Sequence, residues 1–301
     1  MSTVFTLGEP MAVMYPTEPV TLDAAKTLEL DVAGAESNFA IGLARLGVDV
    51  RLYTRLGADR FGDMIRGVWQ REGVNAGAVM TDPDAPTAVY FREWLPDGER
   101  RVLYYRKGSA ASRMTPDDLR PEWFAGLKLL HLTGITPALS ENCAATCHAA
   151  VELARAAGAL VSFDPNYRAK LWSPAQAQAG LLPLMRQADW LLLGHEDARA
   201  VLDTEDDDEI LRQGAALGPS VVVLKRAERG AAAWAEGVRW ESEAVPVKAV
   251  DPVGAGDGFD AGFVTARLRG WDMEAALGAG NKVGAACVRV LGDYAGYPTE
   301  I

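Results

Sequence analysis

The chain has 301 residues, enough for one large domain or two modest ones with a full apolar core and no need of disulfide or metal staples. Its 41 acidic and 30 basic residues give a net charge of −11, which argues against nucleic acid or anionic membrane as a partner, because such surfaces cluster Lys and Arg. Apolar residues at 49% and aromatic residues at 8% are typical of a folded globular protein, so a disordered chain is excluded as well.

The first ten residues, MSTVFTLGEP, predict a strand at VFTL and lack the basic end and apolar run of a signal peptide. No stretch of the chain approaches the roughly 18 consecutive apolar residues that a membrane span needs. We therefore expect a cytoplasmic protein without a membrane partner.

Aromatic and alternating runs dominate the segment near residue 100. TAVYFREW (87–94) and ERRVLYYRKG (99–108) are joined by LPDG, a hairpin-type turn. These runs predict a small antiparallel or mixed sheet beside the main one. Tyr104 and Tyr105 would alternate on such a strand, so one of the two is expected to pack inward.

After about residue 127, short apolar runs alternate with helix-length amphipathic segments. The runs are LKLLHLTG (127–134), ALVSFD (159–164) and DWLLLG (189–194), and the helical segments after them are 141–158, 173–188 and 196–203. Buried runs that alternate with helices predict parallel strands with crossover helices. The predicted fold class is α/β.

Two smaller features are interpreted as structural. The acidic run TEDDDE (204–209) is typical of a solvated helix start, and this interpretation is preferred to a calcium site. Cys143, Cys147 and His148 could share one helical turn, but they lack a fourth metal ligand at a recognisable spacing, so small buried residues are favoured. Because Cys287 makes three cysteines, one stays unpaired in any disulfide scheme.

The segment AVDPVGAGDGFDAGF (249–263) contains the candidate catalytic residues. Gly254, Ala255 and Gly256 let backbone amides crowd together just before a predicted helix, and a helix N-terminus with unpaired N–H groups binds anions such as phosphate. Asp257 at its mouth is either a helix cap or a general base beside an anion hole. The second reading favours phosphoryl transfer. The chain has no GxxxxGK[ST] motif and no GxGxxG after its first strand, so a P-loop or dinucleotide fold is not expected.

DPVGAGDGFDAGF (251–263) resembles the C-terminal signature of the ribokinase-like (PfkB) carbohydrate kinases, and AGAESNFAIGLARLG (33–47) resembles their N-terminal signature. The resemblance covers essentially the whole chain. Its finer features are similar to the 2-keto-3-deoxygluconate kinases of that family, at GEP (8–10), GAESN (34–38), YYRKGSA (104–110), HLTGITPALS (131–140) and DPNYRAKLW (164–172). It implies one ribokinase-like α/β domain over 1–301, with a central, mostly parallel sheet flanked by helices. A discontinuous β lid is expected over approximately 10–33 and 86–108.

The resemblance also implies the roles of individual residues. Asp257 would be the catalytic base, and the amides of Gly254, Ala255 and Gly256 would form the anion hole for attack by a sugar C6 hydroxyl on the γ-phosphate of ATP. The implied sugar-binding residues are Gly34, Asn38, Tyr90, Tyr104, Arg106, Arg168, Asp257 and Asp293. The implied ATP-binding residues are Asn166, Arg168, Lys225, Arg226, Gly230, Gly254, Gly256 and Asn281. Mg²⁺ would bridge the phosphates, while its protein ligands and any monovalent cation are left open.

Several of these residues also have structural alternatives. Gly34 could relieve crowding before a helix, Asn38 could be a polar residue of its first turn, and Arg106 could be a solvated edge charge. Arg168 could cap its own turn, and Asn281 could be a buried polar partner within an apolar helix.

The chain also departs from the family pattern at three places. Ala33-Gly34 replaces the usual Gly-Gly, and Ala227 stands where the ATP turn usually has a glycine. The segment from His195 to Ala198 replaces the family's Asn-x-x-Glu, which leaves Glu196 and Asp197 as the nearby carboxylates.

The leading hypothesis is an ATP-dependent kinase of 2-keto-3-deoxygluconate, whose carboxylate suits the guanidinium groups of Arg106 and Arg168. The rivals are kinases of 2-keto-3-deoxygalactonate, fructose or ribose, and a non-catalytic sugar or nucleotide sensor. The sensor is disfavoured because Asp257 and its small neighbours are intact. We also expect a homo-oligomer through the lid strands, because an exposed sheet edge must be covered or paired.

Overall fold

The computed structural model describes residues 3–95 and 100–301, and most of the predicted LPDG turn lies outside these ranges. The strands of the described residues are β1 (Val4–Leu7), β2 (Met11–Tyr15), β3 (Glu29–Ala33), β4 (Val50–Tyr53), β5 (Arg55–Gly57), β6 (Met80–Asp82), β7 (Val89–Trp94), β8 (Arg100–Tyr105), β9 (Leu129–Thr133), β10 (Leu160–Asp164), β11 (Trp190–Gly194), β12 (Val221–Lys225), β13 (Ala231–Ala235) and β14 (Val238–Ser242). The helices are α1 (Ala35–Arg45), α2 (Arg60–Glu72), α3 (Glu141–Ala156), α4 (Pro174–Gln187), α5 (His195–Val201), α6 (Asp207–Ala216), α7 (Ala255–Leu268) and α8 (Met273–Cys287).

The main sheet has eight strands in the order β14-β13-β12-β11-β10-β9-β1-β4. All neighbours from β4 to β12 pair in parallel, and β13 and β14 are added antiparallel at the other edge. The three apolar runs that were predicted as strands form β9, β10 and β11 at its centre, each followed by its predicted helix. The α/β, mostly parallel prediction is confirmed.

Helices cover both faces of this sheet. Side chains alternate along each strand, so Leu192 and Val223 enter the core beneath α1, α2, α7 and α8, whereas Leu191 and Val222 enter the core beneath α3 to α6. Strands that are buried on both faces explain why their sequences are continuous apolar runs.

A second, smaller sheet has the order β3-β2-β7-β8. Its β2–β3 and β7–β8 pairs are antiparallel and its β2–β7 pair is parallel, which confirms the predicted mixed sheet. Tyr104 packs inward with Val13 and Tyr90. Tyr105 faces outward with 63% of its surface exposed.

The helix start predicted for the acidic run and the burial predicted for the cysteines are both observed. The acidic run starts α6, where the Asp206 carboxylate accepts a hydrogen bond of 2.9 Å from the backbone N–H of Glu209. Cys143, Cys147 and Cys287 are buried and unpaired, and burial raises the pKa of each thiol. Within the described ranges, no three His, Cys, Asp or Glu side chains cluster as metal ligands would. None of the described helices has the length and apolar character to cross a bilayer.

The carboxyl ends of the parallel strands β1, β9, β10, β11 and β12 all lie along the same edge of the main sheet, the one that runs across the strand ends. The segments that follow them therefore gather there, as is usual for ligand-binding loops in open α/β sheets. Among these segments are GEP (8–10), DPNYRAKLW (164–172) and KRAERG (225–230).

Candidate active site

A cleft of about 1860 Å³ lies between this edge of the main sheet and the second sheet. Its walls come from β7 and β8, from residues 164–171 and 225–230, and from the glycine-rich segment around residue 254. Residues that are more than 150 positions apart in the chain therefore line the same cleft, and several of them are ionisable.

The glycine-rich segment forms the start of α7. Gly254 has a φ of 80°, and a Cβ at this position would lie 1.8 Å from the Asp293 carbonyl oxygen, so both conformation and space require glycine. The N–H groups of the first turn have no partner within the helix, and Gly254, Ala255 and Gly256 all line the cleft. Such an arrangement at a helix N-terminus is able to bind an anion, as an anion hole requires.

Asp257 lies in the first turn of α7 but does not cap it, because Gly254 occupies the N-cap position. Its Oδ2 accepts a hydrogen bond of 2.8 Å from Asn38 Nδ2, and its Oδ1 lies 3.5 Å from Asn166 Nδ2. Burial raises the pKa of Asp257 to about 7, against the opposing effects of the Asn38 hydrogen bond and the Arg168 charge. A carboxylate with this pKa, beside an anion hole, suits a general base at neutral pH.

Asn38 is buried, does not line the cleft itself, and connects two carboxylates, those of Asp257 and Asp293. Its Nδ2 is 2.8 Å from Asp257 and 3.5 Å from Asp293, and its buried Oδ1 has no partner among the described residues. An unpartnered buried oxygen favours an acceptor for a ligand hydroxyl over a merely structural side chain. Gly34, just before α1, has a φ of 120°, and a Cβ there would lie 2.6 Å from the Glu9 carbonyl oxygen.

The inner face of the second sheet adds aromatic and basic groups. Tyr90 donates a 3.3 Å hydrogen bond to Asp293 Oδ2, and its ring centroid lies 5.4 Å from that of Tyr104. The Arg106 guanidinium packs over Tyr104 and forms an ion pair with the buried Glu9 carboxylate. Only 9% of the Arg106 side chain is exposed, so the alternative of a solvated edge charge is wrong. Its Nε finds no hydrogen-bond partner among the residues that the structure describes.

Asn166 and Arg168 follow β10 and border the base. Asn166 has a φ of 40° and directs its amide toward Asp257. Arg168 is exposed at the rim of the cleft, where its Nη1 donates a 3.0 Å hydrogen bond to the Tyr167 carbonyl oxygen. Its positive charge lowers the pKa of Asp257.

Lys225 lies close to the glycine-rich start of α7 and is held by two buried carboxylates. Its Nζ is 2.8 Å from Asp164 Oδ2 and 3.1 Å from Asp260 Oδ1, and a Cβ on Gly256 would lie 3.8 Å from it. Burial opposes its charge, but Asp164 and Asp260 together raise the pKa of Lys225 above its ordinary value. Lys225 lines the cleft close to the glycine segment, and its contact with ATP stays a prediction.

The far side of the cleft is shaped mainly by backbone. In the KRAERG turn, Ala227 has a φ of 51° and Gly230 a φ of 78°, and a Cβ on Gly230 would lie 2.1 Å from the Ser242 carbonyl oxygen. The missing family glycine thus leaves an alanine in the left-handed region. Arg226 points its guanidinium at Asp207 and Glu241, at 3.3 and 2.8 Å.

Asn281 and an apolar wall complete this side. Asn281 Nδ2 donates to the carbonyl oxygens of Ser242 and Glu243 at 3.2 and 3.0 Å, so it acts as the buried polar partner that anchors the end of β14. Beyond it, Val245 and Val247 line the cleft with 38% of each residue exposed. Exposed valines in a cleft are typical of a site for a flat apolar ring.

Comparison with known proteins decides the family. Residues 1–300 match the pfkB family carbohydrate kinases. The chain belongs to that family. It is an ATP-dependent carbohydrate kinase, and its fold is ribokinase-like.

Among the relatives of the kinase is the 2-dehydro-3-deoxygluconokinase of Bacillus subtilis, 35% identical over 98% of this chain and 92% of that protein. The 2-dehydro-3-deoxygalactonokinase of Haloferax volcanii is 32% identical over 96% of this chain and 92% of that protein. The crystal structure of 2-dehydro-3-deoxygluconokinase from Thermotoga maritima superposes with a TM-score of 0.91 at 25% identity, covering 98% of this chain and 96% of that one.

The carboxylates of the kinase also bear on the metal that accompanies ATP. Asp197 accepts hydrogen bonds of 2.7 Å from the backbone N–H groups of Tyr167 and Gly194, so both of its oxygens are engaged. Glu196 is exposed and lines the cleft. Since Mg²⁺ usually keeps several waters and binds through phosphates and one or two carboxylates, this donor set fits a metal that arrives on the nucleotide.

Four buried ionisable residues of the kinase site have no role in the sequence interpretation. Arg92 is ion-paired with Asp251 and Asp293, and Asp260 with Lys225. Glu9 pairs with Arg106, and the Glu36 carboxylate accepts 2.6 and 2.8 Å hydrogen bonds from the hydroxyls of Thr133 and Thr136. Glu9 and Glu36 belong to the GEP and GAESN motifs, so the signal was present for them. In the sequence, Arg92 is recognisable only as one charged residue within the run VYFREW, with no sign of its ionic partners.

Proposed function

We propose that the kinase phosphorylates the C6 hydroxyl of 2-keto-3-deoxygluconate, also called 2-dehydro-3-deoxygluconate, and forms 2-keto-3-deoxy-6-phosphogluconate. The observation that carries this proposal is Asp257, a carboxylate with a pKa of about 7 beside the anion hole and in a cleft that also holds Arg106 and Arg168. The names of the Bacillus and Thermotoga relatives support the substrate.

Asp257 is the base in this proposal. Its carboxylate accepts the proton of the C6 hydroxyl, the C6 oxygen forms a bond to the γ-phosphorus, and the bond from phosphorus to the β,γ-bridging oxygen breaks, so that ADP leaves. The N–H groups of Gly254, Ala255 and Gly256 stabilise the negative charge on the phosphoryl oxygens during transfer. Asn38 holds the carboxylate in position through its 2.8 Å hydrogen bond.

In the proposed sugar half, Tyr90, Tyr104 and Arg106 line the cleft. Gly34, Asn38 and Asp293 lie behind this lining, where Asp293 is hydrogen-bonded to Tyr90 and Asn38. In this half, Arg106 receives the substrate carboxylate, because its guanidinium is buried, fixed by Glu9 and still has an unpartnered Nε–H. Arg168 at the rim adds a second positive charge that the phosphates and the sugar acid share. Asn38 Oδ1 and Asp293 accept the sugar hydroxyls.

The nucleotide half comprises the turn 225–230, Val245, Val247 and Asn281. The valines contact the adenine, and Arg226 and Gly230 shape the wall beside it. Glu196 is the exposed carboxylate nearest to hand for a Mg²⁺ ion, which would supply neutralisation of the phosphate charge. The three buried free cysteines agree with a reducing cytoplasm as the place of the reaction.

The second sheet, within 10–33 and 86–108, is the proposed lid that covers the sugar and excludes water. Its outer face exposes Leu30 (48%), Leu103 (43%) and Tyr105 (63%), and we propose that a second copy of the chain covers this face. Sedimentation of the wild type should give a dimer that Leu103→Glu disrupts. A monomeric wild type at micromolar concentration would contradict the dimer, and identical lid positions with and without sugar would contradict closure.

A substrate panel with coupled ADP detection tests the proposal. The panel contains 2-keto-3-deoxygluconate, its galactonate epimer, fructose and ribose, and ³¹P NMR of the product locates the phosphate. The Haloferax relative makes the epimer the second candidate. We expect the highest kcat/KM on one of the two keto-deoxy acids, with 2-keto-3-deoxygluconate as the preferred candidate and the phosphate on C6. Turnover on fructose or ribose with none on either acid would overturn the assignment.

A further inference from the structure

Arg92 of β7 is almost fully buried in the second sheet, with 3% of its side chain exposed. Its Nη2 lies 3.0 Å from Asp251 Oδ2, and its Nη1 lies 3.2 Å from Asp293 Oδ1. The guanidinium also packs over the ring of Tyr15, 4.4 Å from the centroid. One arginine thus neutralises two buried carboxylates.

The two carboxylates belong to segments that adjoin the glycine-rich start of α7. Asp251 precedes the glycine segment, and its oxygens lie 3.4 Å from the backbone N–H groups of Val253 and Gly292. The carbonyl of Asp293 packs directly against Gly254. Arg92 therefore links the second sheet to both loops that hold the start of α7.

Asp293 is bonded unequally through its two oxygens. Oδ1 is held by Arg92, whereas the contacts of Oδ2 with the described residues are a 3.3 Å hydrogen bond from Tyr90 and a 3.5 Å contact from Asn38. These longer contacts leave Oδ2 with capacity for a stronger donor, such as a sugar hydroxyl. A buried carboxylate without a counter-ion would instead take up a proton or turn toward water, and would lose this acceptor.

We propose that Arg92 is a positioning residue for sugar binding, which keeps Asp293 ionised with Oδ2 toward the sugar and fixes it relative to the anion hole. The proposal rests on the sugar-binding role proposed above for Asp293. Arg92 touches neither phosphate nor base in this account, so its loss should change sugar binding far more than the chemical step. Lysine should replace it poorly, because one ammonium cannot form the fork that reaches two carboxylates.

The test compares two variants with the wild type. In Arg92→Met combined with Asp251→Asn, one of the stranded charges is removed together with the arginine, so that the fold is spared; Arg92→Lys keeps the charge. We expect KM for the sugar to rise about tenfold or more in the double variant and about threefold or more in Arg92→Lys, with kcat and KM for ATP within about threefold. If the double variant does not fold, Arg92→Lys alone decides.

Arg55→Met is the matched control, because Arg55 also bridges two carboxylates, Asp118 at 2.6 Å and Asp82 at 3.5 Å, but does not line the cleft. It should lower the unfolding temperature and leave KM for the sugar unchanged. A sugar KM within twofold of wild type in folded Arg92 variants would overturn the proposal. Equal losses in the KM for sugar, the KM for ATP and kcat would also overturn it. All assays use the sugar that the wild type phosphorylates fastest, so an error in the substrate assignment appears in the wild type and an error about Arg92 only in the variants.

Discussion

The proposed sugar half of the cleft and the proposed nucleotide half differ in the kinds of groups that form them. The sugar half is made of buried charged and polar side chains, in which Arg106 pairs with Glu9 and Asn38 bridges Asp257 and Asp293. The nucleotide half is made mainly of backbone turns and valines, and its arginines, Arg226 and Arg229, bind acidic residues of the protein itself. We infer that the sugar half determines specificity through charge, whereas the nucleotide half determines affinity through shape.

The two halves also differ in the cost of substitution. A buried ion pair that loses one partner leaves an uncompensated charge, at a cost of about 3–5 kcal/mol. A turn that gains a Cβ is strained by about 1–3 kcal/mol, without any change in charge. Substitutions in the two halves should therefore separate the KM for sugar from the KM for ATP.

The largest effect is expected at Asp257, where the halves meet. Asp257→Asn removes the base and should lower kcat by about 10²–10⁴-fold while ATP binding, measured by calorimetry, is retained. Because burial raises the pKa of Asp257 from its ordinary value to about 7, ionisation of this group destabilises the fold as pH rises through that range. The variant should therefore unfold at pH 8 at a temperature no lower than the wild type. A fully active variant would refute the assignment.

Arg106 tests the sugar half. Arg106→Met combined with Glu9→Gln removes the buried pair together, and KM for the sugar acid should rise about tenfold to a hundredfold as its carboxylate loses the guanidinium. KM for ATP should stay within about twofold. An equal rise in both KM values would show that the halves are not separable.

Gly230 is the corresponding position in the nucleotide half. Gly230→Ala would place a Cβ 2.1 Å from the Ser242 carbonyl oxygen at a φ of 78°, so the turn must shift. We expect KM for ATP to rise about tenfold, from about 1–3 kcal/mol of strain, with KM for the sugar unchanged. A change confined to the sugar KM would contradict the division of roles.

The pH dependence of the wild type follows from the base. At saturating ATP, kcat/KM for the sugar acid should rise about tenfold per pH unit below 7 and level off above it, because only the ionised Asp257 accepts the proton. Steady-state rates between pH 5 and 9 measure this. A flat profile across that range would count against Asp257 as the base.

The smallest effect is expected at Ala227. Its φ of 51° is unfavourable for alanine, so Ala227→Gly should stabilise the protein by at most about 1 kcal/mol, measured by thermal unfolding, with KM for ATP within about twofold. A lower unfolding temperature would show that the turn is not strained.

Much of the fold could be predicted from the sequence, because local sequence patterns indicate its strands and helices. Apolar runs specified β9, β10 and β11, and small residues before Asp257 specified the start of α7. The motif residues Asn38, Asp257 and Asp293, far apart in the chain, are brought together as the family resemblance implies.

The pairing of buried charges could not be predicted. Whether Lys225 meets a phosphate or a carboxylate depends on Asp164 and Asp260, which neighbour it only in three dimensions. Arg92 stands in an alternating strand where an exposed and a buried arginine look alike, and only the tertiary fold brings Asp251 and Asp293 to it. Sequence periodicity reports which face a residue is on, but not its ionic partner.

A crystal structure with the sugar acid bound tests the central claim most directly. We expect the substrate carboxylate to lie within hydrogen-bond distance of the Arg106 guanidinium. We expect the C6 hydroxyl to lie beside Asp257, facing the amides of Gly254 to Gly256. A sugar whose carboxylate lies away from Arg106, or whose C6 hydroxyl lies away from Asp257, would contradict it.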